Sequence, residues 1–331
     1  MNSTPTLHLT RRAALLLLGA SAAPLSWAQS EAYPNKPVKL IIPYAAGGGA
    51  DAAARILGTW LGRELGQPFI IEAKTGANTA IAATALARSP ADGYTLLMTG
   101  NATMSLNPLV MDKLPYDPLT DFSPVSLVST SPFFIVASSE LGVSSLPELL
   151  QKARANPGAI AYASNGVGGG IHLGMELLAQ RAGVKLNHVP YRGFAPAMPD
   201  LLSGRTPVGM MDLAPLGGHI KSGKIKVLAA TTLTRAKSMP DVPTVAELGF
   251  PDFNVESWFS LFAPAKTPPA IVALLGDKLR KWAASPEGKE SMAGIGMVPE
   301  ASEPNYIRDR FLAEQRAFAP LVKAANIKAE Q

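Results

Sequence analysis

Three observations predict a two-lobed α/β fold, each lobe a mainly parallel sheet flanked by helices, with a ligand cleft between the lobes. Short β-rich runs alternate with helix-period segments in two successive series. Two proline-rich passages separate those series. A chain of 331 residues also exceeds one ordinary core. Its 47% hydrophobic and 17% charged residues can fill two such cores and exclude bulk disorder.

The N-terminus reads as an export signal. Arg11-Arg12 precede an apolar stretch over 13–23, and Ser26-Trp27-Ala28 supply the small-x-small pattern of a cleavage site before Gln29. A membrane anchor is the competing reading, but the apolar stretch is shorter than the roughly 20 residues a spanning helix needs, and Pro24 interrupts it. The arginine pair suits a twin-arginine signal, whereas Ala14 stands where an aromatic is usual, so both export routes stay open. Residues 1–28 are therefore assigned to a signal peptide and the mature chain to the periplasm. Cysteine is absent, which removes disulfides and thiol nucleophiles from consideration. The net charge of +5 comes from scattered basic residues without interleaved aromatics, so it describes a solvated surface and not a nucleic-acid site.

The first series opens with strands at Lys39-Leu40-Ile41-Ile42, Phe69-Ile70-Ile71-Glu72 and Tyr94-Thr95-Leu96-Leu97-Met98. A helix over 51–65 lies between the first two and ends at Gly66. Residues 106–130, with Pro108, Pro115, Pro118 and Pro124, read as a loop-rich passage between lobes. The second series has strands over 133–136, 160–163, 187–190, 208–211 and 226–231, alternating with helices over 146–155, 171–181, 195–202 and 216–222. Another proline-rich connector, Met239-Pro240-Asp241-Val242-Pro243, leads to a strand over 258–262 and helices from about Pro269 and Pro304. These complete the first lobe, giving 29–124 plus 233–331 as lobe 1 and 125–232 as lobe 2. In such sheets ligands bind at the carboxyl ends of strands.

Two strand-to-helix turns are rich in glycine. Pro43-Tyr44-Ala45-Ala46-Gly47-Gly48-Gly49-Ala50-Asp51 follows the first strand, and consecutive glycines bring unpaired N–H groups and a helix N-terminus to a ligand, which favours an anion. A tight turn alone requires one glycine but scarcely three. Ser164-Asn165-Gly166-Val167-Gly168-Gly169-Gly170 occupies the equivalent place in the second lobe, so two anion nests face each other and suit a carboxylate held across the cleft. Tyr191-Arg192-Gly193-Phe194-Ala195 is a third junction. Its Arg192 offers a carboxylate partner, although most loop arginines are simply solvated.

Enzyme readings are weaker. Gly47-x-Gly49-x-x-Ala52 formally matches a dinucleotide fingerprint, with Glu72 where a ribose-binding acid belongs. Against an NAD-dependent oxidoreductase stand the export signal, Pro43 before the turn and the negative charge of Asp51 where pyrophosphate would sit. Ser164 lies in no nucleophile elbow, and nothing in the sequence ties His172, His188 and His219 together as bases. His172 and Glu176 are helix-spaced, yet two ligands without a third favour a surface or capping pair over a metal site. His188 reads as a satisfied core residue, Glu72 and Asp92 as a strand end and an Asp-Gly turn, and Met210-Met211 as core. Neither catalysis nor a cofactor is expected.

Several longer motifs carry a family resemblance. Tyr33-Pro34-Asn35-Lys36-Pro37, the stretch from Ile41 to Asp51, Ser89-Pro90-Ala91-Asp92-Gly93-Tyr94 and Leu114-Pro115-Tyr116-Asp117-Pro118 come first. Val189-Pro190-Tyr191-Arg192-Gly193, Asp200-Leu201-Leu202-Ser203-Gly204, Leu228-Ala229-Ala230-Thr231-Thr232 and Pro240-Asp241-Val242-Pro243-Thr244 follow. In order and across the mature chain, these resemble the extracytoplasmic receptors of tripartite tricarboxylate transporters, the TctC or Bug family. The resemblance implies a type II periplasmic-binding-protein fold that closes on a small organic acid: a di- or tricarboxylate, an amino acid or an aromatic carboxylate. It also implies a monomer that serves membrane permease subunits.

Members of that family hold a carboxylate through backbone amides and hydroxyls of the two glycine loops. Carried over, this implicates Ala45, Ala46, Gly47, Gly48 and Gly49, then Ser164, Asn165, Gly166 and Gly169, with Asp212 after the strand over 208–211 as a contact or loop-orienting group. Where the family pattern is Pro-Gly-Ala-Gly-Gly-Asn, this chain has Thr75-Gly76-Ala77-Asn78-Thr79-Ala80. The resemblance therefore puts Asn78 and Thr79 side chains on that wall. Phe194 replaces a smaller residue and either meets an aromatic acid or packs under its helix. Tyr44 and Asn101 complete the candidate ligand set.

Overall fold

The computed structural model describes residues 33–329 except Arg192, Gly193, Ala195, Ala214 and Pro215. The segment over 1–28 that reads as a signal peptide and Arg192 lie outside the described residues. The chain runs β1 (Val38–Ile42), α1 (Gly49–Leu65), β2 (Phe69–Ala73), α2 (Ala80–Ala87), β3 (Thr95–Gly100), a π-turn (Ala102–Leu106), α3 (Asn107–Val110) and β4 (Phe122–Pro132). It continues through β5 (Phe134–Ser138), α4 (Leu146–Ala155), β6 (Ala161–Ser164), α5 (Gly170–Ala182), β7 (Asn187–Pro190), α6 (Met198–Leu202), β8 (Val208–Met211), α7 (Gly217–Lys221) and β9 (Ile225–Ala230). Last come β10 (Glu256–Pro264), α8 (Pro269–Ala284), α9 (Pro286–Ala293), β11 (Val298–Pro299) and α10 (Pro304–Ala325).

The strands form two sheets, ordered β11-β4-β10-β3-β1-β2 and β7-β6-β8-β5-β9. Strand alternation explains why helices cover both faces of each. Leu40, Ile42, Leu96 and Met98 point to one core with Leu57 and Leu61 of α1 and Leu275 of α8. Ile41, Leu97 and Phe262 point to the opposite core with Leu86 of α2 and Phe311 of α10. In the second sheet, Met210 faces the core beneath α4 and α5, and Met211 faces the one beneath α6. Both are fully buried, as expected of core methionines.

Both sheets are mixed. β1–β2, β1–β3, β6–β7 and β6–β8 are parallel, whereas β10 runs antiparallel to β3 and β4, and β5 runs antiparallel to β8 and β9. The passage over 106–130 is not loop-rich throughout, because it contains most of β4. Proline usually argues against a strand, but Pro124 pairs with Phe262 beside a register irregularity, where a missing N–H is tolerated. The chain stays in the larger sheet to Pro132 and changes sheets at Phe133, eight residues beyond the 124/125 boundary read from the sequence. Val245, Phe253 and Val255, placed in lobe 1 by the sequence, pack into the second sheet's core with Phe318, Leu321 and Val322 of α10. The final helix thus spans both cores.

Candidate functional site

The carboxyl ends of β1, β2 and β3 share one edge of the larger sheet, which places the turns over 43–48 and 74–79 and residue Asn101 side by side. Lys74 N–H donates to Ile42 O at 2.8 Å and holds the first two together. In the first turn Gly47 takes φ +87°, which glycine adopts without strain. Gly48 is the extended N-cap of α1 and carries no side-chain cap. Gly47 N–H donates to Asp51 Oδ2 at 3.0 Å. Asp51 is buried, and Arg55 lies 3.0 Å from each of its oxygens. The Arg55 hydrogen bond, then that from Gly47, holds the carboxyl below its ordinary range.

This revises the reading that Gly47–Gly49 all offer amides to a ligand. The Gly47 N–H is used inside the turn. The donors without an intrahelical acceptor are those of Gly48, Gly49, Ala50 and Asp51, because the first four N–H groups of a helix have no carbonyl one turn back, and Ala52 N–H is the first to reach one, at Gly48 O. Ala45, Ala46, Gly48 and Gly49 are exposed. Tyr44 sits edge-on to Phe259 at 5.7 Å, and burial pushes its hydroxyl up to about 12 despite a hydrogen bond from Thr99.

The second glycine turn repeats the first. Gly168 takes φ +77°, Gly169 is an extended N-cap without a side-chain cap, and Gly168 N–H donates 3.0 Å to His172 Nδ1. His172 is buried and stacks on His188 at 3.8 Å, and the Tyr162 ring lies alongside both imidazoles, 5.0 Å from His188 and 6.4 Å from His172. Burial pushes both imidazoles down to about 4, and His188 lowers His172 further. His188 Nε2 is 2.6 Å from Ser164 Oγ, whose hydroxyl also lies 3.0 Å from Gly166 O. Ser164 is fully buried and its hydroxyl is partnered within the lobe. Glu176 accepts the Tyr162 hydroxyl at 2.6 Å, so it does not converge with His172 on a metal. Among the described residues no group of three or more such ligands occurs.

The turn after β2 is unlike either. Gly76, Ala77, Asn78 and Thr79 have φ of 118°, 42°, 45° and 77° in succession. For an L-residue the left-handed region costs about 1–2 kcal/mol each, most for a β-branched side chain. Asn78 and Thr79 do not put their polar groups on the cleft wall as expected. Asn78 Nδ2 donates to Asn107 Oδ1 at 2.7 Å, and Thr103 Oγ1 donates to Thr79 Oγ1 at 2.8 Å. Thr79 is buried. Sequence reasoning missed Asn107 and Thr103, and the run of non-glycine residues in a turn was the available signal.

The two sheets meet at these edges. A Cβ at Gly170 would lie 2.9 Å from Asn101 Nδ2, and one at Gly168 would lie 3.0 Å from Val110. Ser131, near the end of β4, donates to Asp212 Oδ1 at 2.9 Å. Burial pushes the Asp212 carboxyl up to about 6, partly offset by Ser131. Asn165 is exposed beside Gly166, whose φ is +134°. Phe194 packs against both cores of the second sheet, and its carbonyl accepts from Met198 N–H at the start of α6. Glu72 pairs with Lys39 and Lys74, and Asp92 accepts the Tyr94 N–H of its turn, so both have structural partners. A groove of about 480 Å³ lined by Phe122, Thr267, Arg280 and Phe311 sits at the opposite edge of the larger sheet, where β4 begins.

The sequence profile described as Tripartite tricarboxylate transporter family receptor matches residues 53–327. The chain belongs to this family. BugT of Bordetella pertussis is 35% identical over 308 residues, 93% of this chain and 94% of BugT. The solved structure of R. palustris Rpa4515 with adipate has a TM-score of 0.82 at 33% identity and covers 89% of this chain and 99% of that one. MatC from Rhodopseudomonas palustris with bound malate has a TM-score of 0.77 at 28% identity over 88% of this chain and 100% of MatC. In this receptor family the oxidoreductase reading of the Gly47 turn finds no support, and the two matching helix-start turns are elements of a solute-binding protein.

Proposed function

We propose that this receptor captures a small organic carboxylate in the cleft between its two sheets, without chemistry, and passes it to the membrane subunits of a tripartite tricarboxylate transporter. The observation that carries this is the pairing of two uncapped helix starts, at Gly48 and Gly169, on the facing edges of the sheets. The adipate and malate held by Rpa4515 and MatC support the ligand class. Amides near Gly48, Gly49 and Gly169, with Tyr44, Ala45, Ala46, Asn101, Asn165 and Gly166, line the site. Asp212, half-neutral near pH 6, faces a donor group of the ligand and, through Ser131, links the lobes when closed. Export by the segment over 1–28 delivers the mature chain to the periplasm.

The test is a thermal-shift screen of the mature protein against adipate, malate, citrate, amino acids and aromatic acids. An acid at a hundred times its Kd adds about 2.7 kcal/mol and raises Tm. Indifference to every acid sinks the receptor reading, and turnover or a response to NAD restores the enzyme. Scattering with the bound acid should show a smaller radius of gyration. Cell fractionation should find a mature N-terminus near Gln29 in the periplasm.

A further inference from the structure

We propose that Asn107 is a positioning residue for ligand capture: its carboxamide locks the left-handed turn over 77–79 that forms one wall of the cleft. This rests on the carboxylate-receptor reading above. Asn107 is fully buried at the start of α3. Its Oδ1 accepts from Asn78 Nδ2 and its Nδ2 donates to Asn78 O, both at 2.7 Å, so one carboxamide grips the side chain and the main chain of the same residue. The same Nδ2 lies 3.2 Å from Thr79 Oγ1 and 3.0 Å from the Tyr116 hydroxyl, which in turn donates to Thr103 O at 2.6 Å. Thr103 reaches Thr79 directly.

The reason for so many bonds is conformational. Three successive non-glycine residues at positive φ persist only where surrounding structure over-determines them. Without the carboxamide, Asn78 O loses its buried donor and the turn has every reason to relax. Because the turn after β2 is tied to the turn after β1 through Lys74 and Ile42, relaxation reshapes the wall beside the first glycine turn. Asn78 and Thr79 therefore act on the ligand through the shape of the main chain, and Asn107 acts through them.

The mature protein is tested as Asn107→Ala, Thr79→Gly and the double variant. Two readouts are used: amide exchange of the peptide over 74–80 without ligand, and calorimetric Kd for adipate and malate. Asn107→Ala should raise exchange in that peptide about tenfold while peptides of α1 and α5 keep their protection. It should weaken binding of the acid probes about tenfold in the native background and less than about threefold when Thr79→Gly has removed the most strained residue. Additive effects, or unchanged exchange over 74–80, overturn the proposal. If Asn107→Ala does not fold, Thr103→Val, which removes the hydroxyl that joins Thr79 to Thr99 and leaves the Asn107 bonds intact, should show the same local exchange increase at smaller size; none overturns it. If the parent binds neither acid, the carboxylate reading fails for these probes and the exchange arm still decides whether Asn107 holds the turn.

Discussion

The two glycine turns have the same backbone and opposite chemistry. Each has a positive-φ glycine, then an extended glycine N-cap, and each folds the first glycine's N–H back onto the side chain three residues past the cap. In the larger sheet that acceptor is Asp51, ionised and held by Arg55. In the smaller sheet it is His172, neutral and stacked on His188, with Glu176 where the first turn has Arg55. The difference teaches that the turn demands an acceptor at this position and is indifferent to its charge. Charge is left free to set how each half of the site responds to pH.

The largest effect expected is from filling either cap. Gly48 has ordinary φ, and a Cβ there would meet only Ala45 O at 3.7 Å, so Gly48→Asp folds. An aspartate cap stabilises α1 by a few tenths of a kcal/mol, while its carboxylate takes the amides and repels the acid. Binding should fall at least about a hundredfold, and calorimetry beside a thermal melt would show affinity and Tm moving in opposite directions. Gly169→Asp should do the same in the second lobe. If only one substitution abolishes binding, the carboxylate is held by one turn and the paired-nest picture breaks.

Acid should separate the turns next. Both imidazoles titrate lower in the folded chain than their ordinary 6.5, so the unfolded chain binds protons first. Stability is full above pH 6.5 and falls as pH drops from there towards 4. Asp51 is shifted down, so its contribution is present above about 3.8 and is lost only below it. At pH 5, amide exchange corrected for intrinsic rate should rise over 164–170 and stay unchanged over 45–50. Tyr162 and Glu176 are the other titratable groups at the stack, and Tyr162 donates its hydroxyl to Glu176, not to either imidazole. His172→Asn keeps an acceptor for Gly168 and should flatten the acid loss. A melt series that stays level from pH 7 to 5 in the parent would refute this assignment.

Ser164→Ala removes the hydroxyl between His188 and Gly166 and should cost about 1–3 kcal/mol of stability in denaturant melts, with affinity following only as far as the loop loosens. A large affinity loss with no stability loss would return Ser164 to the ligand. Asp51→Asn, the smallest change, keeps the Gly47 acceptor and removes a negative charge beneath the first cap. It should tighten acid binding by about 0.3–1 kcal/mol at low salt, and weaker binding would show that Asp51 serves the ligand electrostatically in some other way.

Most strands and helices were legible because their signals are local. Val38, Leu40 and Ile42 alternate with Ile41 across the sheet, and Gly66 ends α1 in the left-handed conformation at φ 73°. The two glycine turns were legible for the same reason. β4 was not, since its prolines mask a strand that is held by partners in β10 and β11 far along the chain.

Within the site the division follows sequence distance. Backbone conformation at Gly47–Gly48 and Gly168–Gly169 depends on φ preferences and on an acceptor four residues from the donor, both written in a short stretch of sequence. The partners of Ser164, Asn78 and Asp212 stand 24, 29 and 81 residues away, at His188, Asn107 and Ser131. Whether a buried hydroxyl or amide serves a ligand or a neighbour depends on which groups packing brings within 3 Å, and no local preference encodes that.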